Sequence, residues 1–336
     1  MKGSKGKSAI NSESLECALK TPSLMAMECD RQEVHRQLQD FARSTLIEVD
    51  ATSNQIELKG SDLTHHTADP WLKDNLNKLP FEVSGNDYAD YHISFPKYDL
   101  CMEDSWSGYF VAKHLARKDK KNEAIVLIHL DDHTDMMSSL LLKTNNDLWD
   151  SKSLTRFDPA NTDDWESAID GGAIGIGSFV TALYYLKQPL HVLHLNHQKD
   201  NQQPLFINSS TVKHELLPVA EFASIEKSTQ QTPTNLGSYK ANTNARDLLK
   251  NVPTGRVIVH IDLDYFINDF NGNVGEMPKK SSNALRSEAL GLLTDFFDNL
   301  TLADVKVERW IIATSPGFCS ARHWQWLLEQ LSTRID

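Results

Sequence analysis

Two short stretches hold most of the side chains able to do chemistry. One is His129-Leu130-Asp131-Asp132-His133-Thr134-Asp135, the other His260-Ile261-Asp262-Leu263-Asp264. In an extended chain, side chains alternate between faces. Asp131, His133 and Asp135 then point one way, Asp132 and Thr134 the other, and Asp262 shares a face with Asp264. Four carboxylates and an imidazole brought together are costly unless a cation neutralises them. That is too much negative charge for one structural zinc, which favours Cys and His. Oxygen-rich ligation with one His suits Mn²⁺, and two ions rather than one. A plainer reading of any Asp at a strand's end is a cap for the next helix. Asp135, ahead of Met136–Leu142, is the clearest case. Two clusters of matched parity favour metal over two separate caps. His129 and His260 fall on the same face just ahead of the clusters, and read as satisfied core or supporting histidines.

Both stretches end apolar runs, and the runs define the elements that must position them. Residues 124–130 (AIVLIHL), 190–195 (LHVLHL), 256–261 (RVIVHI) and 307–314 (VERWIIAT) read as strands. Helices are expected over 105–116, 173–186, 282–300 and 321–332. Another is expected within 30–45, where Val34, Leu38 and Phe41 recur at helical spacing. Continuous apolar strands alternating with helices give an α/β class, a parallel sheet covered on both faces. Sites in such sheets form at the carboxyl ends of strands. Residues 1–22, rich in Lys, Ser, Gly and Asn, are expected to be disordered. Residues 23–336 then form a single domain. The polar stretch 196–251, between core strands, reads as an insertion beside the site.

Charge and composition narrow the partners. The chain has 336 residues, 46 acidic against 34 basic, for a net charge of −12. A nucleic-acid binder needs a basic face, so that class is disfavoured. A cationic partner is favoured by the negative field. No apolar run approaches the ~20 residues of a membrane helix. Met1–Lys20 shows no apolar core of a secretory signal. Cys17, Cys29, Cys101 and Cys319 are far apart and form no CxxC pair, so reduced thiols in a cytoplasmic protein are expected. Cys319 lies in a Gly-containing turn, but no marked His partners it as a nucleophile.

The first cluster resembles the DAHxD motif of the arginase and agmatinase ureohydrolases, and Asp262-Leu263-Asp264 resembles their second DxD motif. The resemblance implies a three-layer αβα arginase/deacetylase-like fold. It implies that Asp131 and Asp262 bridge two Mn²⁺ ions, with Asp135 completing one shell and His133 and Asp264 the other. IHLDDHTDM, IGSFVTALYY, VHIDLDYF and ATSPGFCS together are similar to a narrower arginase-like family. Some of its members are peptide arginases, which convert Arg side chains of a ribosomal precursor peptide to ornithine. The likeness runs from about Asp99 to Trp326, roughly two-thirds of the chain.

Departures from the arginase pattern carry information too. The upstream metal-ligand His of a GGDHS segment is replaced by Ser105 in Glu103-Asp104-Ser105-Trp106, so Asp104, Glu103 or water must substitute. Asp104 could equally cap the following helix. Asp135 is followed by MMSSLLLKTNND, without the His that arginases use for proton transfer and without their contacts to a free amino acid. That favours Arg within a peptide. By position, Glu288 corresponds to the guanidinium-binding Glu, or is a solvated helix residue. Asp269 and Glu276 are further candidates to meet a cation. Asp135 or Asp264 would pass on a proton, and one of His191, His194 and His197 could assist. The expected activity is therefore hydrolysis of peptide Arg to ornithine and urea. The alternatives are a small-guanidino ureohydrolase, a single-zinc deacetylase-like hydrolase, and a metal-stabilised peptide-binding module. An oligomer is possible, since arginase-like proteins often form rings.

Overall fold

The computed structural model describes residues 12–21, 31–50, 52–79, 87–116, 123–145, 147–198 and 203–335. Chain order runs α1 (Ser12–Ala18), α2 (Arg31–Ala42), the hairpin β1 (Thr45–Val49) and β2 (Ile56–Ser61), then α3 (Leu72–Leu76). Next come β3 (His92–Ser94), β4 (Tyr98–Cys101), α4 (Ser105–Leu115) and β5 (Ile125–Leu130). Three short strands follow, β6 (Leu142–Thr144), β7 (Asp147–Trp149) and β8 (Arg156–Phe157), then α5 (Thr162–Asp170) and α6 (Phe179–Tyr184). After β9 (Leu190–Leu195) come β10 (Leu205–His214), β11 (Leu217–Ser228), β12 (Asn235–Asn242) and α7 (Ala245–Leu249). The chain ends with β13 (Arg256–Asp262), α8 (Ser282–Leu302), β14 (Val307–Ala313) and α9 (Trp324–Ser332).

Twelve strands form one mixed sheet in the order β3-β4-β14-β13-β5-β9-β12-β10-β11-β6-β7-β8. From β4 to β12 the neighbours are parallel, and antiparallel strands extend both edges. β5 is buried along its whole length, which explains its unbroken apolar run. Its alternate residues enter two different cores. Ile125 and Leu127 pack with side chains of α4, α5 and α6. Val126, Ile128 and Leu130 pack with those of α7, α8 and α9. Helices thus cover both faces, as the alternation of elements predicts. Among the described residues no helix is long and apolar enough to cross a membrane.

Close packing of α4 on α5 depends on one missing side chain. A Cβ at Gly108 would lie 2.1 Å from the Trp165 ring, and that Trp is fully buried. Gly108→Ala should destabilise the fold by about 1–3 kcal/mol through overpacking, read as a lower midpoint in thermal or urea unfolding.

Several expectations need correction. Residues 12–21 are ordered: Leu15 and Ala18 of α1, with Leu19 just after it, pack into the core. The rest of the stretch expected to be disordered, residues 1–11 and 22, lies outside the described residues. The helix expected over 173–186 is shortened to α6, because 173–178 forms a turn with Gly175 pressed against Ser44, where a Cβ would lie 2.2 Å from its Oγ. At 321–332 the first three residues are a 3-10 turn before α9. The stretch 196–251, read as a polar insertion, carries regular structure of its own among its described residues. It supplies the β10–β11 hairpin, the sixth parallel strand β12 beside β9, and α7. Its strands are polar because the hairpin is half-exposed and β12 buries only alternate residues, Gly237, Tyr239 and Ala241.

Candidate metal centre

β5 and β13 are adjacent and parallel, with His129 opposite His260. Asp131 and Asp262 therefore leave the sheet side by side at its carboxyl edge, where ligands gather in α/β sheets. Beyond these ends the chain turns, and turns rather than strand alternation bring the other ligands in. Asp131 Oδ1 accepts from the His133 backbone N–H at 2.5 Å. Asp262 caps the 3-10 turn Leu263–Tyr265 by accepting from the Asp264 N–H at 3.3 Å, which swings Asp264 back toward His133. Asp264 Oδ2 lies 2.9 Å from His133 Nδ1. Asp135 has a left-handed backbone, φ 49°, and its carbonyl accepts from the Val180 N–H at 3.2 Å. No helix follows it, so it is not a helix cap. Asp104 sits at the start of α4 but makes no capping hydrogen bond, and its side chain joins the cluster instead.

Potential ligand atoms of Asp131, His133 and Asp264 lie within 4.8 Å of one another, and so do those of Asp104, Asp131 and Asp262. Asp131 belongs to both groups. Asp132 turns aside and accepts from Asn268 Nδ2 at 3.1 Å. Five carboxylates are thus gathered and buried: Asp104, Asp131, Asp135, Asp262 and Asp264. Among the described residues no Lys or Arg forms an ion pair with any of them; only His129, His133 and His260 face them.

The electrostatics show a cluster short of positive charge. Burial, then repulsion from neighbouring carboxylates, pushes Asp135 and Asp262 well above the usual carboxylate range. Burial also raises Asp104 and Asp264, against the pull of His260 and His133. Burial disfavours charge on His133, but its bonds to Asp131 and Asp264 outweigh this and push it up to about 11. Asp104 Oδ1, Asp131 Oδ2 and Asp135 Oδ2 are buried without a hydrogen-bond partner. Native proteins rarely leave such atoms unsatisfied. The donor set fits divalent cations: hard oxygens, the His133 imidazole, and Asp131 common to the groups with His133 and Asp264, with Asp104 and Asp262, and to a third with His129 and His260.

His129 and His260 support the cluster from the sheet. Their Nδ1 atoms lie 2.8 Å apart, a hydrogen bond that turns both Nε2 atoms toward the carboxylates. His129 Nε2 is 3.4 Å from Asp131, and His260 Nε2 is 3.5 Å from Asp104. Neither Nε2 has a hydrogen-bond partner, so of the two readings, satisfied core or supporting histidines, the second fits. Burial holds His129 well below its ordinary range. His194 is satisfied on both nitrogens, by the Asp131 carbonyl at 3.0 Å and the Tyr239 hydroxyl at 2.8 Å, and burial lowers it to about 4. His191 pairs with the Ser238 hydroxyl, and His197 bonds the Tyr265 carbonyl. All three are engaged structurally rather than poised in the cleft.

A cleft of about 400 Å³ opens on the cluster, with Met137, Ile176 and Phe318 as apolar wall and Arg43 among its lining. Glu288 does not line it. Its carboxylate holds Lys280 Nζ at 2.9 and 2.7 Å on an exposed face of α8, at a neighbouring cavity that Glu276 also lines. Asp269 is buried as a loop anchor, accepting from Ser320 N–H and pairing with Arg322 at 3.2 Å. Cys319 is fully buried, and burial pushes its thiol up, which fits packing rather than nucleophilic attack.

Two further groups, His65 and His66, flank the cleft and carry no motif that marks them. Both approach Glu103, and Glu103 lines the cleft with His65. Their only sequence signal is a His doublet in a polar stretch. Burial disfavours a charged Glu103, but the two histidines overcome it and hold the carboxyl down to about 2. Comparison with protein-family models and with curated proteins returns no match for this chain.

Proposed function

We propose that this chain is a ureohydrolase of the arginase type, which converts Arg side chains of a precursor peptide to ornithine and releases urea. The observation that carries the reading is the set of five buried carboxylates and His133 around one point at the carboxyl edge of the sheet, with no Lys or Arg paired to them among the described residues. A sheet with helices on both faces supports the three-layer αβα arginase/deacetylase-like arrangement. Asp131 and Asp262 would be the carboxylates common to two Mn²⁺ ions, with Asp135 and Asp104 on one side and His133 and Asp264 on the other. Two such cations would lower the pKa of a bound water toward neutrality, supplying the nucleophile that a weakly electrophilic guanidinium carbon needs.

The protein's own groups supply the remainder. Residual negative potential in the cleft draws in and orients a guanidinium. Ser315 Oγ donates to Asp262 Oδ2 at 2.9 Å and fixes that carboxylate. Asp135 Oδ2 and Asp264 Oδ2 are placed to take up a proton. The apolar wall excludes water from the reacting centre. Glu288 pairs with Lys280 outside the cleft lined by the cluster, and we assign it no contact with the substrate. Glu288→Gln should leave the rate within about twofold of the parent, where loss of a charge-assisted hydrogen bond to substrate would cost about tenfold or more.

One observation favours the second reading, a small-guanidino ureohydrolase: Arg43 in the cleft lining offers a cation to a substrate carboxylate. Incubation with Mn²⁺ and Arg-containing peptides, followed by mass spectrometry, separates the two. Conversion of peptide Arg to ornithine with urea release supports the first. Urea from free guanidino acids or agmatine, with no peptide modified, replaces it with the second. Metal uptake with no urea from any substrate removes both ureohydrolase readings and leaves a binding module or, if one ion is bound, a deacetylase-like hydrolase.

A further inference from the structure

We propose that His65, His66 and Glu103 form a separate Zn²⁺ site on the wall of the cleft. This goes beyond the function proposed above and does not depend on it. His65 and His66 stand side by side in the 3-10 turn Thr64–Ala68. Glu103 follows β4 just ahead of α4. Both histidines direct Nε2 at the same Glu103 oxygen: His66 hydrogen-bonds to Oε1, and His65 Nε2 lies 3.5 Å from it. The three ligand atoms lie within 4.8 Å of one another.

A simple ion pair explains only half of this. One imidazole satisfies one carboxylate oxygen, yet a second Nε2 is aimed at it and remains buried without a hydrogen-bond partner. A tetrahedral zinc with Zn–N near 2.0–2.1 Å sets neighbouring ligand atoms about 3.3 Å apart, close to the His65–Glu103 separation of 3.5 Å; His66, in direct hydrogen-bond contact with Glu103, would draw back to that spacing on binding. Two His and one Glu, with a fourth position open, is a donor set that zinc adopts. The outer contacts fit as well. His66 uses its other nitrogen, Nδ1, on the Tyr88 hydroxyl at 3.1 Å, and His65 hydrogen-bonds the backbone of Asp62. Such bonds fix the ring and tautomer of a metal-bound His. The rings meet edge-on, 4.5 Å between centroids at 81°, which lets both Nε2 atoms approach one point.

The site also joins segments far apart in the chain. Gly317, at φ 80°, passes so close that a Cβ there would lie 2.2 Å from the His65 carbonyl. A zinc here would clip the Thr64–Ala68 turn to the start of α4, beneath the loop of Ser315 and Phe318. Because His65 and Glu103 line the cleft, a zinc they held would border the ligand space.

Co²⁺, a spectroscopic stand-in for zinc, tests this in the Asp131→Ala/Asp262→Ala protein, where the carboxylate cluster is disabled. We expect one equivalent of Co²⁺ to produce visible bands of a four-coordinate ion. These should disappear in the same protein carrying His65→Ala and be displaced by stoichiometric Zn²⁺. His66→Ala should remove them too, but buried His66 could be needed for folding, so partly accessible His65 is the deciding variant. Circular dichroism checks that each variant is folded. A folded double variant that binds no Co²⁺ overturns the proposal, as do bands that persist in His65→Ala. Loss of urea release in any variant has no bearing on this result, since the assay reads metal alone.

Discussion

Asp262→Asn should abolish metal-dependent turnover and at the same time raise the thermal stability of the metal-free protein. The first effect follows from position. Asp262 leaves β13 beside Asp131, and its ligand atoms fall in one group with those of Asp104 and Asp131. An amide can still accept from the Asp264 N–H through its oxygen, with its NH2 donating to Ser315 Oγ in the reverse of the native direction, but it supplies no negative charge to a cation. A residue that merely supports a ligand costs about 10–100-fold in activity or metal affinity when changed, so a shared ligand should cost well over about 100-fold. The second effect follows from repulsion. Without metal, Asp262 is buried among like charges, and its pKa stands well above the ordinary range. Removing that charge relieves the metal-free fold. A purely structural Asp would show the reverse, a lower melting temperature with activity falling in proportion to unfolding. Metal analysis and thermal melts on the same sample decide it. Full metal occupancy in Asp262→Asn, or a destabilised metal-free protein, would overturn the assignment. Asp131→Ala should likewise lose both metal and turnover.

What made this site legible is the simplicity of parallel-sheet grammar. An apolar run that stops on an acidic residue marks a buried strand with a ligand at its carboxyl end, and β5 and β13 both read that way. Strand pattern alone is enough to bring Asp131 and Asp262 to the same edge. Beyond the strand ends the rule fails, because turns take over. Asp264 reaches His133 through a 3-10 turn capped by Asp262, and alternation only happened to assign the same face. Asp104 was ambiguous because an Asp before a helix reads equally as cap or ligand, and only the absence of a capping bond separates the two. Glu288 reads equally as a guanidinium ligand or a solvated helix residue, and helical phase favours the second. Ala289, Leu293, Phe296 and Leu300 define the buried side of α8, and Glu288, one residue off that stripe, is rotated about 100° away from its neighbour and meets Lys280 in solvent. His65 and His66 were invisible for a different reason. Their partner Glu103 is distant in sequence, and nothing local marks a polar turn that folds onto a strand end. Residues 196–251 misled because polar composition resembles a loop, whereas edge hairpins are polar by exposure and β12 alternates.

Mn²⁺ should raise the melting temperature strongly near pH 8 and hardly at all near pH 5. A carboxyl whose pKa in the folded state lies above its unfolded value adds stability that is full below the unfolded pKa and is lost as pH rises through the folded one. Asp104, Asp135, Asp262 and Asp264 are all raised. The metal-free protein therefore loses their contribution as pH climbs from the ordinary carboxylate range toward their raised values. His133, raised from 6.5 to about 11, behaves likewise in sign: its contribution is full below its unfolded value, declines as pH rises past it and is gone above the folded one, so part of it is lost within the same window. Glu103 acts in the opposite sense: its carboxyl, held near 2, contributes stability above its unfolded pKa that is lost only as pH falls toward 2, outside the window compared. Metal binding needs the carboxylates ionised and His133 relieved of its proton, so protons compete with the cation and affinity rises with pH. At a metal concentration about 100 times the dissociation constant, linkage adds about 2.7 kcal/mol. For a single domain of this length that is on the order of 4 °C. At pH 5 the protonated cluster should reduce the shift to within about 1–2 °C, since less than about 1 kcal/mol of binding remains to be linked. Differential scanning fluorimetry with and without Mn²⁺ at the two pH values measures the difference directly. An equal shift at both would mean that the cation binds somewhere other than this carboxylate cluster. A shift surviving in Asp262→Asn would place the cation elsewhere too, by an independent route.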